Sequence, residues 1–211
     1  MEIKEKIGIL QKDRAIVDII NGRMCEFEKN YECSSNCWFK ELSFCILTAN
    51  FKAQESIDIC YAERKNDAFI KYSELDLAKF LKQQKHRFPN ARAKYIIEAR
   101  KYAAEIKNII INFGDERQAR EWLVKNIKGL GYKEASHFLR NVSYKNVAIL
   151  DRHILNVLCE NELIGEIPKT PGRNKYFKIE KIMEEIADDL RLSLAELDFY
   201  LWYMKTGKVL K

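Results

Sequence analysis

The chain reads as an all-α protein, and three observations lead there. Only 8 Gly and 3 Pro in 211 residues leave too little turn chemistry for the many tight hairpins of a sandwich or barrel. Apolar residues recur at helical spacing almost throughout, and no period-two stretch is long enough to build a sheet. Capping and breaking residues fall between these periodic segments. With 47% hydrophobic residues the chain has enough apolar material for one well-buried domain or two closely packed lobes, which excludes a disordered tail or a mini-protein.

Taken in order, Ile3, Ile7 and Leu10 start the first helix, and Trp38, Leu42, Cys45, Ile46 and Ala49 mark one face of another that ends before Asn50. Ser73 ahead of Glu74-Leu75-Asp76 caps a third. Tyr95, Ile96, Ala99, Ala103, Ile106 and Ile110 predict one long helix, closed by Gly114. Asp115 caps the next, which runs through Trp122-Leu123-Val124. After it, Gly129 and Gly131 stand one residue apart, with a further helix beginning near Lys133. Asp151 precedes the apolar run of the following helix as a good N-cap, Gly165 to Asn174 is the extended loop, and Ser193-Leu-Ala-Glu196 is a capping box for the last helix. With no internal repeat and no low-complexity linker, residues 1–211 are expected to form a single domain, with its hairpin at about 122–142.

No stretch approaches the roughly 20 uncharged apolar residues of a membrane span, and the N-terminus mixes charges from its second residue. A soluble, cytoplasmic protein without membrane partners is expected. Six cysteines in such a chain are read as reduced thiols, with Cys45 in the core. His86, His137 and His153 are scattered and lack metal-ligand spacing, so neither a metal nor an organic cofactor is expected.

Charge is concentrated. Between Lys79 and Lys101 eight cations, among them Arg92 and Lys94, face the single anion Glu98, a net +7 in a chain whose total is +6. Phe80, Phe88 and Tyr95 interleave with them, and cations for phosphates beside rings for bases suit a nucleic-acid surface. The glycine hairpin points the same way. Gly129 and Gly131 allow a sharp turn and close approach, and the amides opening the second helix suit a phosphate, with Lys125 and Lys128 beside them. Lys133, in the first turn, opposes the helix dipole; it reads either as a phosphate contact or as a nucleophilic amine. Asp151, eighteen positions on, would bring a carboxylate to that lysine if its helix mouth faces the hairpin.

The stretch Lys128-Gly-Leu-Gly-Tyr-Lys-Glu-Ala-Ser-His-Phe-Leu-Arg-Asn141, followed by Ile149-Leu-Asp-Arg-His-Ile154, resembles the helix-hairpin-helix DNA glycosylase superfamily, specifically its short archaeal-type 8-oxoguanine DNA glycosylase/AP lyases. Residues 41–50, 87–95 and 197–211 resemble the same family, so the similarity spans most of the chain. The resemblance implies a bilobal helical fold with a cleft between lobes, Lys133 as nucleophile and Asp151 as its catalytic partner. The substrate implied is double-stranded DNA containing 8-oxoguanine, which is excised before the abasic site is cleaved by β-elimination, and a monomer is expected. It also implies Phe88 and Trp202 on the flipped base, Asn50 in the gap opposite the orphan base, and Lys211 folding into the pocket. Asp198, four residues before Trp202 on the same helix face, joins the substrate-binding candidates. Two departures narrow the choice: Cys159 stands alone where an iron-sulfur cluster needs four cysteines, and the sequence reads as helical from its start, where the larger eukaryotic-type enzymes carry a β-rich domain. The alternatives are a related lyase for oxidised pyrimidines, or a non-catalytic hairpin module that only binds DNA.

Overall fold

The computed structural model describes residues 2–210; Met1 and Lys211, the latter a proposed pocket residue, lie outside the described residues. Thirteen α-helices and one 3-10 turn make up the regular structure among the described residues. They are α1 (Ile3–Leu10), α2 (Arg14–Glu32), α3 (Ser35–Thr48), α4 (Ala53–Glu63), α5 (Ala68–Lys71), α6 (Glu74–Gln83), α7 (Pro89–Ala99), α8 (Ile106–Ile111), α9 (Glu116–Asn126), α10 (Tyr132–Asn141), α11 (Arg152–Glu160), α12 (Arg173–Leu190) and α13 (Leu194–Thr206). The expected caps form: Ser73 Oγ accepts from the Asp76 amide at 3.2 Å, Asp115 from Arg117 at 3.1 Å, and Ser193 and Glu196 exchange backbone bonds. No described helix is long and apolar enough to cross a membrane.

Apolar faces gather into two cores. The first collects Trp38, Phe39, Leu42 and Phe44 of α3 with Leu77, Ile96, Ile110, Leu123 and Phe138 from α6 to α10. The second unites α1 and α2 with the C-terminal half, through Ile7, Phe27, Leu158, Tyr176, Met183 and Phe199. The chain therefore leaves the second lobe after α2, builds the first, and returns. α10 is the helix both lobes share. It buries Ala135 through Asn141, setting Phe138 edge-on against Trp38 of the first core while the Arg140 guanidinium lies over Phe27 and Phe199 of the second.

One expected element is divided. The periodic run from Tyr95 to Ile110 is broken after Ala99 by a 3-10 turn, Arg100–Tyr102, and by a bend through Glu105. There Ala103 and Glu105 donate three residues back, to Arg100 and Tyr102. The bend redirects the chain so that Ile106 and Ile110 still reach the first core. A helical period in sequence survives such a turn because both halves bury the same face.

Candidate active site

Between the lobes lies a cleft of about 1530 Å³, with a wall from each core and the hairpin at its head. Asn50, Arg92, Gly129, Gly131, Lys133, Asp151, Asp198 and Trp202, eight of the residues singled out from sequence, line it together.

Gly129 makes the hairpin possible. Its φ of +90° is strained for any residue with a side chain, and a Cβ there would come within 2.4 Å of Tyr95 Cδ2. The hairpin is thereby seated on α7. Gly131 caps α10, but its amide donates to Glu134 Oε2 at 3.2 Å, so one amide expected to meet phosphate is already bonded. Glu134 also pairs with Lys133, its Oε1 3.2 Å from Nζ. A carboxylate at the helix mouth satisfies the dipole that the lysine alone would oppose. Lys133 itself keeps 24% of its side chain exposed, directed to the cleft.

Asp151 does cap α11, accepting from the Ile154 amide at 2.8 Å. Burial raises its carboxyl above the ordinary carboxylate value, while the Ile154 bond, Lys133 and His153 pull the other way. The electrostatic contact with Lys133 joins groups from two separate elements, the hairpin helix and the mouth of α11.

Asp198 is not the exposed carboxylate a helix position alone would suggest. It is buried and ion-paired to Arg140, itself buried between Phe27 and Phe199. Desolvation pushes its carboxyl up to about 7, Asp151 adds repulsion, and Arg140 opposes both. Its carboxylate is thus committed to holding α13 against α10. Trp202, one turn on, meets the His153 ring edge to face at 4.5 Å, and its buried indole N–H has no acceptor among the described residues. Phe88, 37% exposed, sits just before Pro89 with the Arg87 and Arg92 guanidiniums 4.9 and 5.8 Å from its ring centre.

Arg92 corrects the reading of the basic stretch. It is buried, not a surface cation: its guanidinium donates to the Ala49 carbonyl at the end of α3 and faces the Phe88 and Tyr95 rings. Arg100 is likewise committed, donating to the carbonyls of Phe69 and Tyr72 at 2.9 and 2.8 Å. Lys94 is exposed, and exposed Lys128 reaches Glu98 at 3.4 Å. His86 joins Arg92 in holding α3: its Nε2 bonds the Leu47 carbonyl at 3.1 Å and its Nδ1 accepts from the Phe88 amide at 3.1 Å. Two side chains from the Phe88 segment thus tie down the turn at Asn50, whose φ is +58°.

Sequence reasoning gave no role to Arg140 or to the fully buried Arg120, whereas His86, read from sequence as structural or phosphate-contacting, holds a structural place. A signal existed for Arg120, which shares an i, i+3 stripe with Leu123 on an amphipathic helix.

A lysine delivered by a glycine hairpin to a capping carboxylate, across a cleft between two helical lobes, defines a helix-hairpin-helix DNA glycosylase. Comparison with known proteins makes this specific. The family profile described as 8-oxoguanine DNA glycosylase matches residues 20–192, and the chain belongs to that family. It is 52% identical over 200 residues to the 8-oxoguanine DNA glycosylase/AP lyase of Methanocaldococcus jannaschii, covering 95% of each chain, and 50% identical to that of Korarchaeum cryptofilum, covering 95% and 94%. The crystal structure of the Methanocaldococcus jannaschii enzyme in complex with 15mer DNA containing 8-oxoguanine superposes with a TM-score of 0.96 at 50% identity, covering 100% of both chains. The Thermotoga maritima 8-oxoguanine DNA glycosylase gives 0.91 at 38% identity, covering 98% and 99%.

Proposed function

We propose that this chain excises 8-oxoguanine from double-stranded DNA and cleaves the resulting abasic site, with Lys133 as nucleophile and Asp151 as its electrostatic partner. The observation that carries the reading is the meeting of these two groups in one cleft, each delivered by a different element.

The target nucleotide must leave the stack before its sugar can be reached, at a cost of about a few kcal/mol. Trp202 lines the cleft, its N–H without an acceptor among the described residues, and would offer one face to the extruded base; exposed Phe88, whose ring the cleft-lining Arg87 and Arg92 face, would supply a second. Asn50, on a left-handed turn lining the cleft, would enter the vacated position. The Lys133 amine, its ammonium proton handed to Glu134, then attacks C1′ as the bond from C1′ to the base nitrogen breaks, and the base departs with that electron pair and takes a proton from the newly attached amine. Positive charge develops on the sugar, where the Asp151 carboxylate stabilises it. The C1′–O4′ bond then breaks and the amine's remaining proton passes to O4′, giving the Schiff base; removal of a C2′ proton then expels the 3′ phosphate by β-elimination. Lys133 must leave Glu134 to react, which makes Glu134 the resting partner of the nucleophile. Surface cations such as Lys94 and Lys128 supply affinity for the backbone. Both walls of the cleft come from one chain, so a monomer is sufficient.

Borohydride added during incubation with an 8-oxoguanine duplex tests the reading. The unaltered protein should form a covalent complex, and Lys133→Gln should not. Equal trapping of the variant would place the nucleophile elsewhere.

A further inference from the structure

Asp151 arrives at the cleft on a segment, 147–151, that is neither helix nor strand yet is buried at Val147, Ala148, Ile149 and Leu150. Buried backbone without regular structure needs partners from side chains. Here two residues of α12 provide them. The Ala148 amide donates to Glu180 Oε1 at 2.8 Å, and the Ala148 carbonyl accepts the Tyr176 hydroxyl proton at 2.7 Å. The same hydroxyl accepts from the Leu150 amide at 3.3 Å. One phenol therefore grips the segment at two points, the nearer one residue from Asp151.

Behind it stands a charged pair. Arg120 of α9 gives Glu180 two parallel bonds, of 2.5 and 2.7 Å, and a third at 3.1 Å to Ser136 Oγ. Ser136 lies three residues after Lys133 on α10 and its hydroxyl is 3.4 Å from the Tyr176 oxygen. The guanidinium also faces the Tyr132, Tyr176 and Phe177 rings. This buried network joins both helices of the hairpin to the segment that carries Asp151. Neither Arg120 nor Glu180 has a role in binding or chemistry as derived above, yet both are buried charges, which a fold retains only when closely paired.

We infer that Tyr176, braced by Arg120 and Glu180, is the positioning residue that sets the Asp151 carboxylate against the Lys133 amine. The inference rests on the assignment of those two groups in the proposed function. Its physical basis is that a misplacement of about 1 Å in a reacting pair can cost about a hundredfold in rate. Burial holds the Tyr176 phenol above its ordinary pKa, so it remains a proton donor throughout the working range.

Tyr176→Phe keeps the ring and its packing while removing all three bonds of the hydroxyl. Rates are read in single turnovers with excess enzyme, normalised to the active fraction counted by borohydride trapping. Excision should slow by about ten- to a hundredfold with binding of damaged duplex unchanged. The acid limb of the rate profile should also move to higher pH. Facing Asp151 are Lys133 and Arg140 of α10, His153 of its own helix and Asp198 of α13. A carboxylate displaced from Lys133 and from the Ile154 amide loses its main anionic supports. A purely structural phenol would lower the melting temperature and leave both the normalised rate and the limb in place, which would overturn the inference. If too little Tyr176→Phe folds, Ser136→Ala should move the limb the same way by less, and an unmoved limb there overturns it equally. Trapping of Lys133→Gln in parallel separates the two levels: if that variant is trapped, the underlying assignment has failed, and if it is not, a normal Tyr176→Phe refutes the positioning role alone.

Discussion

Replacing Asp151 by Asn separates capping from chemistry. The Asn Oδ1 can still accept from the Ile154 amide, which Asp151 now holds at 2.8 Å, so the cap survives. Losing it, as in Asp151→Ala, would cost about 0.5–2 kcal/mol. The carboxyl is raised above its ordinary value by burial, so the folded protein binds its proton more readily than the unfolded chain does. The sign follows: stability from this group is greatest in acid and declines as pH rises from the unfolded carboxyl value through the raised folded one. At neutral pH the anion is therefore a burden on folding, which Asn lifts. Asp151→Asn should melt at or above the temperature of the unaltered protein, on a scale where 1 kcal/mol corresponds to about 2–4 °C for a chain of this size. Excision should meanwhile fall by at least about a hundred- to a thousandfold, the usual result of removing one oriented electrostatic group from a reaction centre. For the unaltered enzyme the acid limb of the saturated excision rate should lie above the ordinary aspartate value. Calorimetry and single-turnover excision on the same preparation decide the matter. Near-normal excision would leave Asp151 a cap and nothing more, and a large loss of stability would mean that its charge serves the fold.

Other perturbations probe the frame around that pair. Gly129→Ala meets both a φ of +90°, worth about 1–3 kcal/mol of strain, and the Tyr95 ring at 2.4 Å; it should lower the melting temperature and weaken binding to damaged and undamaged duplexes alike, and unchanged melting would refute the seating of the hairpin on α7. Asp198→Ala leaves the Arg140 guanidinium buried and unpaired, so denaturant unfolding should show a loss of about 3–5 kcal/mol; less than about 1 kcal/mol would show that Arg140 does not depend on this partner. Lys94→Gln should reduce the slope of log affinity against log salt by about 0.9, whereas Arg92→Gln should chiefly destabilise; an unchanged slope for Lys94→Gln would point that cation away from DNA.

The contrast between Lys94 and Arg92, two residues apart on one helix, shows where sequence stops being sufficient. Composition identifies a stretch rich in cations, but only the fold decides which of them keep their charge for a ligand and which spend it on carbonyls left open at a helix end. Lys133, Asp151 and the glycine hairpin were legible because their signals are local: a turn needs glycine where φ is positive, and a helix needs an acceptor at its mouth. The caps at Ser73, Asp115 and Ser193 were legible for the same reason. By contrast, Arg140 meets Asp198 from 58 positions away and Arg120 meets Glu180 from 60, and nothing in the local pattern of either residue names its partner. The single helix expected from Tyr95 to Ile110 fails on related grounds, since periodicity reports which face is buried and not whether the axis bends. Arg120 and Arg140, the two charges that escaped sequence reading, share one property: each is placed inside, where pairing with a carboxylate of another helix replaces water. Those interior groups fix the distances between elements, and the locally encoded groups meet in the cleft at those distances. A reading built only on local motifs can therefore single out Lys133 and Asp151 as candidates, while what holds the two in register must be sought among buried polar side chains that belong to no motif.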